Sequence, residues 1–366
     1  MKNIPYHKHH IYYPSRAVYT LYLIILVCLS VKDSFSDEGD IVWYEARNLT
    51  VDGKGWTNTE SFYDRLPIYA KNMVRSSVWY LSHDAAGLNV RFKTNADSIY
   101  IEWTVTSEDL AMVHMPGTGV SGIDVYGKNE EDNWYFIANG KPTKMTNNIV
   151  VHAPAEIQEF IIYLPLYNGV RDLKIGTDRN KFIEKIPIDD QRKQIVFYGT
   201  SITQGGCASR PGMAFTSIIS RRLNAEIINL GFSGNGRMEP ELAKLLAELD
   251  PALYVLDCLW NMSEEMVAQR VEPFVSILRE YRPKTPILLV EDSNYQNKST
   301  EKGNLLRAIF DKLKGSGDKN LYILANTGML GDDGDGTVDG VHPNDLGMMR
   351  HAGIFIPYLK NLLYKE

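Results

Sequence analysis

The chain has 366 residues, 44% hydrophobic and 23% charged, with a formal net charge of −6. These are globular values, and the length suggests about two domains. No basic block is long enough to read as a nucleic-acid footprint, which argues against nucleic acid as a partner.

Taken in chain order, the first segment reads as a leader. Lys2, Lys8, His9, His10 and Arg16 precede an apolar run from Ala17 to Val31 and then the polar stretch KDSFSDEGD. A basic lead, a short apolar core and the small residues Ser34 and Ser36 predict a signal peptide over 1–36, hence an exported, periplasmic or extracellular protein. The run is shorter than the ~20 residues of a membrane span, so no stable span is expected after cleavage. An uncleaved signal or a lipid on Cys28 would instead anchor the chain, although Val27 is bulky for a lipobox. Cleavage would leave Cys207 and Cys258, which an exported protein can pair; a bridge and two buried thiols both stay open.

Residues 40–182 alternate. SVWYLS, LNVRFKT, SIYIEWTVT, GIDVYG, NWYFIA and EFIIYLPL are short runs of β-branched and aromatic residues separated by Gly, Asn, Asp and Pro. Many short strands with frequent turns predict a β-sandwich, jelly-roll-like. Its aromatic residues, among them Trp43, Trp56, Trp79, Trp103 and Trp134, suit either sugar stacking or a sandwich core. The segment KFIEKIPIDDQRK is the expected linker.

From 190 to 366 the rhythm changes. The apolar runs QIVFYG, EIINLG, LYVLDC, PILLVE and LYILAN alternate with amphipathic helical stretches. Continuous apolar strands between helices predict a parallel sheet covered on both faces, doubly wound. Function in such a sheet sits at the carboxyl ends of the strands. The loops there carry Gly199-Thr200-Ser201, GFSGNG, DCLWNMS and GTVDGVHPNDLG.

Those loops hold the parts for acyl transfer: a nucleophile, a base, a group orienting the base, and oxyanion donors. Ser201 supplies a hydroxyl and His342 an imidazole. Asp339, three residues earlier, is placed to fix the His342 tautomer from a tight loop. The Ser201 N–H, Gly234 and the Asn261 side chain are the candidate oxyanion donors. DDGDGTVDG fails as a calcium loop, having no Gly at the sixth place and no Glu at the twelfth. Further candidates for substrate contact are Arg210 after the nucleophile, Trp260 beside Asn261, Tyr295 after the fourth apolar run, and His114 in HMPGTG.

These blocks resemble the SGNH (GDSL-type) hydrolases, named for one Ser, Gly, Asn and His. GTSITQG is similar to block one, NLGFSGNG to block two, LWNM to block three and DGVHPN to block five. GIDVY, residues 122–126, is similar to the GxDLY motif of the two-domain bacterial branch. Thr200 stands where the family has the Asp of GDS, and block three lacks its Gly. The resemblance implies a flavodoxin-like α/β domain behind a β-sandwich. It also implies a serine esterase, with Ser201, His342 and Asp339 as triad. The expected substrate is an acylated carbohydrate or other small acyl ester, acetyl foremost, and no metal or organic cofactor is implied. An acyltransferase with the same site, or a non-catalytic glycan-binding protein, is the alternative.

Overall fold

The structure, a computed structural model, describes residues 41–364 apart from 155 and 190. The predicted signal peptide and Cys28 lie outside the described residues.

The N-terminal half runs through β1 (Ile41–Glu45), β2 (Thr50–Asp52), α1 (Ser76–Leu81), β3 (Asn89–Thr94), β4 (Ser98–Val105), α2 (Gly117–Val120), β5 (Ile123–Lys128), β6 (Trp134–Gly140), β7 (Thr146–His152), β8 (Glu159–Tyr163), β9 (Val170–Asp178) and β10 (Ile183–Lys185). Two antiparallel sheets result, in the orders β1-β9-β4-β7 and β10-β3-β8-β5-β6, with β2 also on β3. Strand β4 shows why they stack. Ile99, Ile101, Trp103 and Val105 are buried, while the residues between them are half-buried. One face therefore enters a core shared with Phe92, Phe160 and Ile162 of the other sheet. Trp103 is wholly buried and donates its indole N–H to the Ser121 carbonyl at 3.1 Å, so it is a core residue.

Two expectations change. SVWYLS, read as a strand, lies in α1; its Val78 and Trp79 are adjacent and both buried, a spacing that two opposite strand faces would split. The expected linker contains β10, which adds to the sandwich edge against β3.

The C-terminal half follows the second rhythm. Its strands are β11 (Gln194–Gly199), β12 (Glu226–Gly231), β13 (Leu253–Asp257), β14 (Ile287–Val290) and β15 (Leu321–Leu324). They pair in parallel in the order β12-β11-β13-β14-β15. The helices are α3 (Ser201–Gln204), α4 (Phe215–Leu223), α5 (Pro240–Glu248), α6 (Glu264–Tyr281), α7 (Glu301–Gly315) and α8 (Asp345–Leu363). Alternate residues of β11 face opposite layers. Val196 and Tyr198 pack with α5 and α6, whereas Ile195 and Phe197 pack with α4 and α8. The strand order reverses between β11 and β13, and ligands bind at such a switch point, beyond the strands' carboxyl ends.

The GIDVY stretch joins the halves, because β5 alternates too. Ile123 and Val125 enter the sandwich core, which leaves Asp124 and Tyr126 on the other face. Asp124, with no exposed surface, accepts from Arg210 Nη1 at 2.7 Å, the Gly212 N–H at 2.8 Å and Asn139 Nδ2 at 2.9 Å. Arg210 also donates to the Tyr126 hydroxyl at 2.7 Å, and its guanidinium lies 4.1 Å from the Phe136 ring centroid. The side-chain partners of Arg210, namely Asp124, Tyr126 and Phe136, thus all belong to the sandwich.

Candidate active site

Strand β11 ends at Gly199, where a Cβ would lie 2.1 Å from Thr203 Oγ1 and 2.6 Å from the Asp257 carbonyl. Only glycine allows the chain to turn that tightly into α3. Thr200, the residue that departs from the family pattern, is extended and caps the helix: its hydroxyl accepts the Ile202 N–H at 3.3 Å. Ser201 is then the first helical residue, and its N–H belongs to a helix start with no intrahelical acceptor.

The second component is a knot of local hydrogen bonds. The Thr337 hydroxyl donates to the His342 carbonyl at 2.8 Å and accepts the Gly340 N–H at 3.0 Å. Gly340 has φ +92°, which turns the loop back on itself. Asp339 therefore faces the residues just after it. Its Oδ1 accepts the N–H groups of Val341 at 3.0 Å and His342 at 2.8 Å, and its Oδ2 lies 2.7 Å from His342 Nδ1. Partial burial opposes the charge on Asp339. The hydrogen bonds from the His342 backbone and ring and from Val341 outweigh it and bring the pKa down to about 2. A carboxylate at Nδ1 fixes that nitrogen as donor, which leaves Nε2 as acceptor. Nε2 lies 2.8 Å from Ser201 Oγ.

The oxyanion candidates come from the next loops. Gly234 has φ +68°, and nothing lies within 4 Å of where its Cβ would be. Two residues on, a Cβ at Gly236 would lie 2.1 Å from the Gly199 carbonyl, so the β12 loop packs directly on the start of the nucleophile turn. The Gly236 N–H donates to Asn261 Oδ1 at 3.1 Å. That bond fixes which end of the Asn261 amide faces the loop and leaves Nδ2 directed elsewhere. Among the described residues, the Ser201 N–H, the Gly234 N–H and Asn261 Nδ2 meet no acceptor in the protein.

The remaining candidates divide. The His114 ring centroid lies 6.1 Å from that of His342. It sits in a tight turn closed by the Met112 N–H to Met115 carbonyl bond of 3.0 Å. The sandwich thus brings an imidazole beside the triad. Tyr295, 39% exposed, places Cε1 3.8 Å from where a Gly340 Cβ would be, so it borders the Asp339 loop. Trp260 shares a turn with Asn261. Its indole donates to the Ser293 carbonyl at 3.0 Å, with the Lys302 ammonium 5.1 Å from the ring centroid. The Arg210 side chain is held by Asp124, Tyr126 and Phe136, as described. Cys207 and Cys258 are both buried and unpaired, so the bridge is absent. Burial pushes the Cys207 thiol up to about 11.

No motif points to Tyr167, whose hydroxyl donates to the Ser201 carbonyl at 3.2 Å from the sandwich side. Gln204 was visible in GTSITQG, but its partners were not. It is wholly buried, and its Oε1 accepts the Ser233 N–H at 3.0 Å beside Gly234.

The sequence model of the GDSL-like lipase/acylhydrolase family matches residues 192–360, and that of the N-terminus of SGNH-type esterases matches 41–183. A crystal structure of a Bacteroides ovatus protein assigned as a GDSL-like lipase superposes with a TM-score of 0.82 at 32% identity, covering 88% of this chain and 98% of that one. The chain belongs to the GDSL-like lipase/acylhydrolase family. This SGNH hydrolase also shares its fold with more distant structures. The salicylyl-acyltransferase SsfX3, from a tetracycline biosynthetic pathway, superposes with a TM-score of 0.70 at 17% identity, covering 88% of this chain and 97% of that one. An acetyl xylan esterase from the rumen bacterium Butyrivibrio proteoclasticus gives 0.56 at 12%, covering 88% and 99%. No curated protein matches the sequence.

Proposed function

We propose that this SGNH hydrolase is an exported serine esterase that removes O-acyl groups, acetyl foremost, from carbohydrates. The observation that carries the reading is the chain of contacts from Ser201 Oγ through His342 to Asp339, at 2.8 and 2.7 Å. Ser201 Oγ attacks the acyl carbonyl while His342 Nε2 takes its proton. The negative charge that develops on the carbonyl oxygen is met by the Ser201 N–H, the Gly234 N–H and Asn261 Nδ2. His342 then gives its proton to the leaving sugar oxygen as the ester C–O bond breaks. Water attacks the acyl-serine with His342 again as base, releasing the carboxylic acid and restoring Ser201. Asp339 holds the imidazole and stabilises its cation throughout. Loss of one oxyanion donor typically costs ~10²–10³ in rate.

The carbohydrate assignment is supported by the shared fold with the acetyl xylan esterase and by the rings of His114 and Tyr295 beside His342 and the Asp339 loop. Export is supported by the sequence of residues 1–36. An acyltransferase would use the same acyl-enzyme but pass it to an alcohol; the likeness to the salicylyl-acyltransferase motivates an assay arm with added acceptor. The test is acetate release from a panel of acetylated oligosaccharides by wild type and Ser201→Ala. Release by wild type alone supports the reading. Equal release by both proteins, or release by neither, refutes it, and acyl transfer to the added acceptor in place of acetate would establish the second reading.

A further inference from the structure

Of the three oxyanion donors Gly234 is the most easily misplaced, because its φ of +68° and open surroundings leave it no packing of its own. Its neighbours are tied down, and the ties lead to one segment of the N-terminal half, residues 53–86, between β2 and β3. On the Ser233 side, the Ser233 N–H donates to Gln204 Oε1 at 3.0 Å. The Gln204 amide is kept in that orientation because its Nε2 donates to Asp84 Oδ2 at 2.8 Å and to the Leu166 carbonyl at 3.0 Å. A flipped amide would set its oxygen against two acceptors and its NH₂ against a donor.

On the Asn235 side, Arg75 Nη1 donates to Asn235 Oδ1 at 2.6 Å and Nη2 to the Asn235 carbonyl at 3.0 Å. Ser77 Oγ adds a bond to Asn235 Oδ1 at 2.9 Å, and Glu239 holds Arg75 Nε at 2.7 Å. Asn235 Nδ2 then reaches back across Gly234 to the Ser233 carbonyl at 2.7 Å. Beneath the loop, the wholly buried Arg65 spends Nη1 on the carbonyls of Asn229 and Gly231, at 3.2 and 2.7 Å, and stacks 4.9 Å from the Phe232 ring. The same guanidinium donates to the carbonyls of Leu81 and Asp84, at 2.5 and 2.8 Å. The peptides flanking Gly234 are thus fixed from both sides, and its own N–H is left unpaired.

We infer that residues 53–86 form a brace that positions the Gly234 N–H for the oxyanion, with Arg75 and the Asp84–Gln204 pair as its positioning residues. The inference rests on the esterase reading above. It gives residues 53–86 a part in catalysis that does not require them to touch substrate. Preorganised donors act because they need not reorganise as charge develops. A donor free to drift therefore loses rate before it loses fold.

The experiment compares wild type, Arg75→Ala, Arg75→Lys, Gln204→Met and, as control, Lys71→Ala, an exposed position of the same segment whose ammonium pairs with Glu60 at 3.0 Å. An aryl acetate reports kcat/KM, and a boronic acid that becomes a tetrahedral anion on Ser201 reports binding of the oxyanion mimic. The expected result is a ~10–100-fold loss of kcat/KM and a parallel loss of boronate affinity in Arg75→Ala and Gln204→Met, at an unchanged folded fraction. Arg75→Lys, keeping one donor, falls between, and Lys71→Ala matches wild type. Folded Arg75→Ala and Gln204→Met with wild-type kcat/KM and boronate affinity would overturn the brace alone. Losses that track the unfolded fraction would overturn it too, leaving only a structural role. A wild type that hydrolyses no aryl ester would overturn the esterase reading and the brace with it.

Discussion

Replacing Arg210 by Met separates two roles that its position after the nucleophile leaves open. Asp124 has no exposed surface and takes its charged hydrogen bond from this guanidinium, whose side chain is 21% exposed. Removing one partner of a buried ion pair costs ~3–5 kcal/mol, because the other charge stays buried. Partial exposure of Arg210 and the two remaining donors on Asp124, Gly212 N–H and Asn139 Nδ2, place this case at the lower end, about 3 kcal/mol. Loss of the stack on Phe136, 4.1 Å away, adds roughly 0.5–1 kcal/mol. A chain this size should then lose roughly 5–6 °C in thermal midpoint. The methionine stem keeps the apolar contacts, so KM for a small ester should stay within about threefold of wild type. The double variant Asp124→Asn/Arg210→Met leaves no unpaired charge and should recover at least ~1.5 kcal/mol of the single-variant loss. Differential scanning calorimetry and initial rates on one preparation decide the matter. A midpoint within ~2 °C of wild type together with a KM raised more than ~tenfold would instead make Arg210 a substrate contact.

Asp339→Asn should lower kcat on an aryl acetate by ~10²–10⁴-fold, because an amide at Nδ1 no longer enforces the productive tautomer. Its effect on stability carries a definite sign. The folded pKa is depressed from 3.8 to about 2, so the carboxylate's stabilising contribution is present above ~pH 4 and is lost as pH falls through 2. The stability difference between wild type and variant, followed by urea denaturation, should be flat above pH 5 and shrink below 4; a difference undiminished near pH 2 would contradict this. The two loop glycines should also part. Gly236→Ala sets a Cβ 2.1 Å from the Gly199 carbonyl and should cost at least ~2 kcal/mol, whereas Gly234→Ala meets open space and should cost ~1 kcal/mol through its φ alone. Equal midpoints for the two variants would show the β12 loop to be looser than drawn.

Much of the frame was legible because its signals are local. Alternation in SIYIEWTVT marks a half-buried strand, and continuous apolar runs such as QIVFYG mark strands covered on both faces. Asp339 and His342 were legible for the same reason, since three residues of one tight turn bring them together. For Arg210 only the backbone position is local. Its side chain is directed by Asp124, 86 residues earlier in the chain. The segment WTNTESFYDRLPIYAKNMVRSSVW shows no period to read. Its Arg65 and Arg75 meet partners 160 to 166 residues away, across the junction of the two halves. The residues of α1 read as a strand because Val, Trp and Tyr favour strands until packing overrides them.

The proposed chemistry requires Ser201, activated by His342, to be the nucleophile. Its most direct test is brief labelling of the folded protein with a fluorophosphonate, with the modified residue located by peptide mass spectrometry. The expected result is a single adduct, on Ser201, that forms far more slowly in His342→Ala. An adduct on another residue, or a folded wild type that leaves Ser201 unmodified, would contradict it.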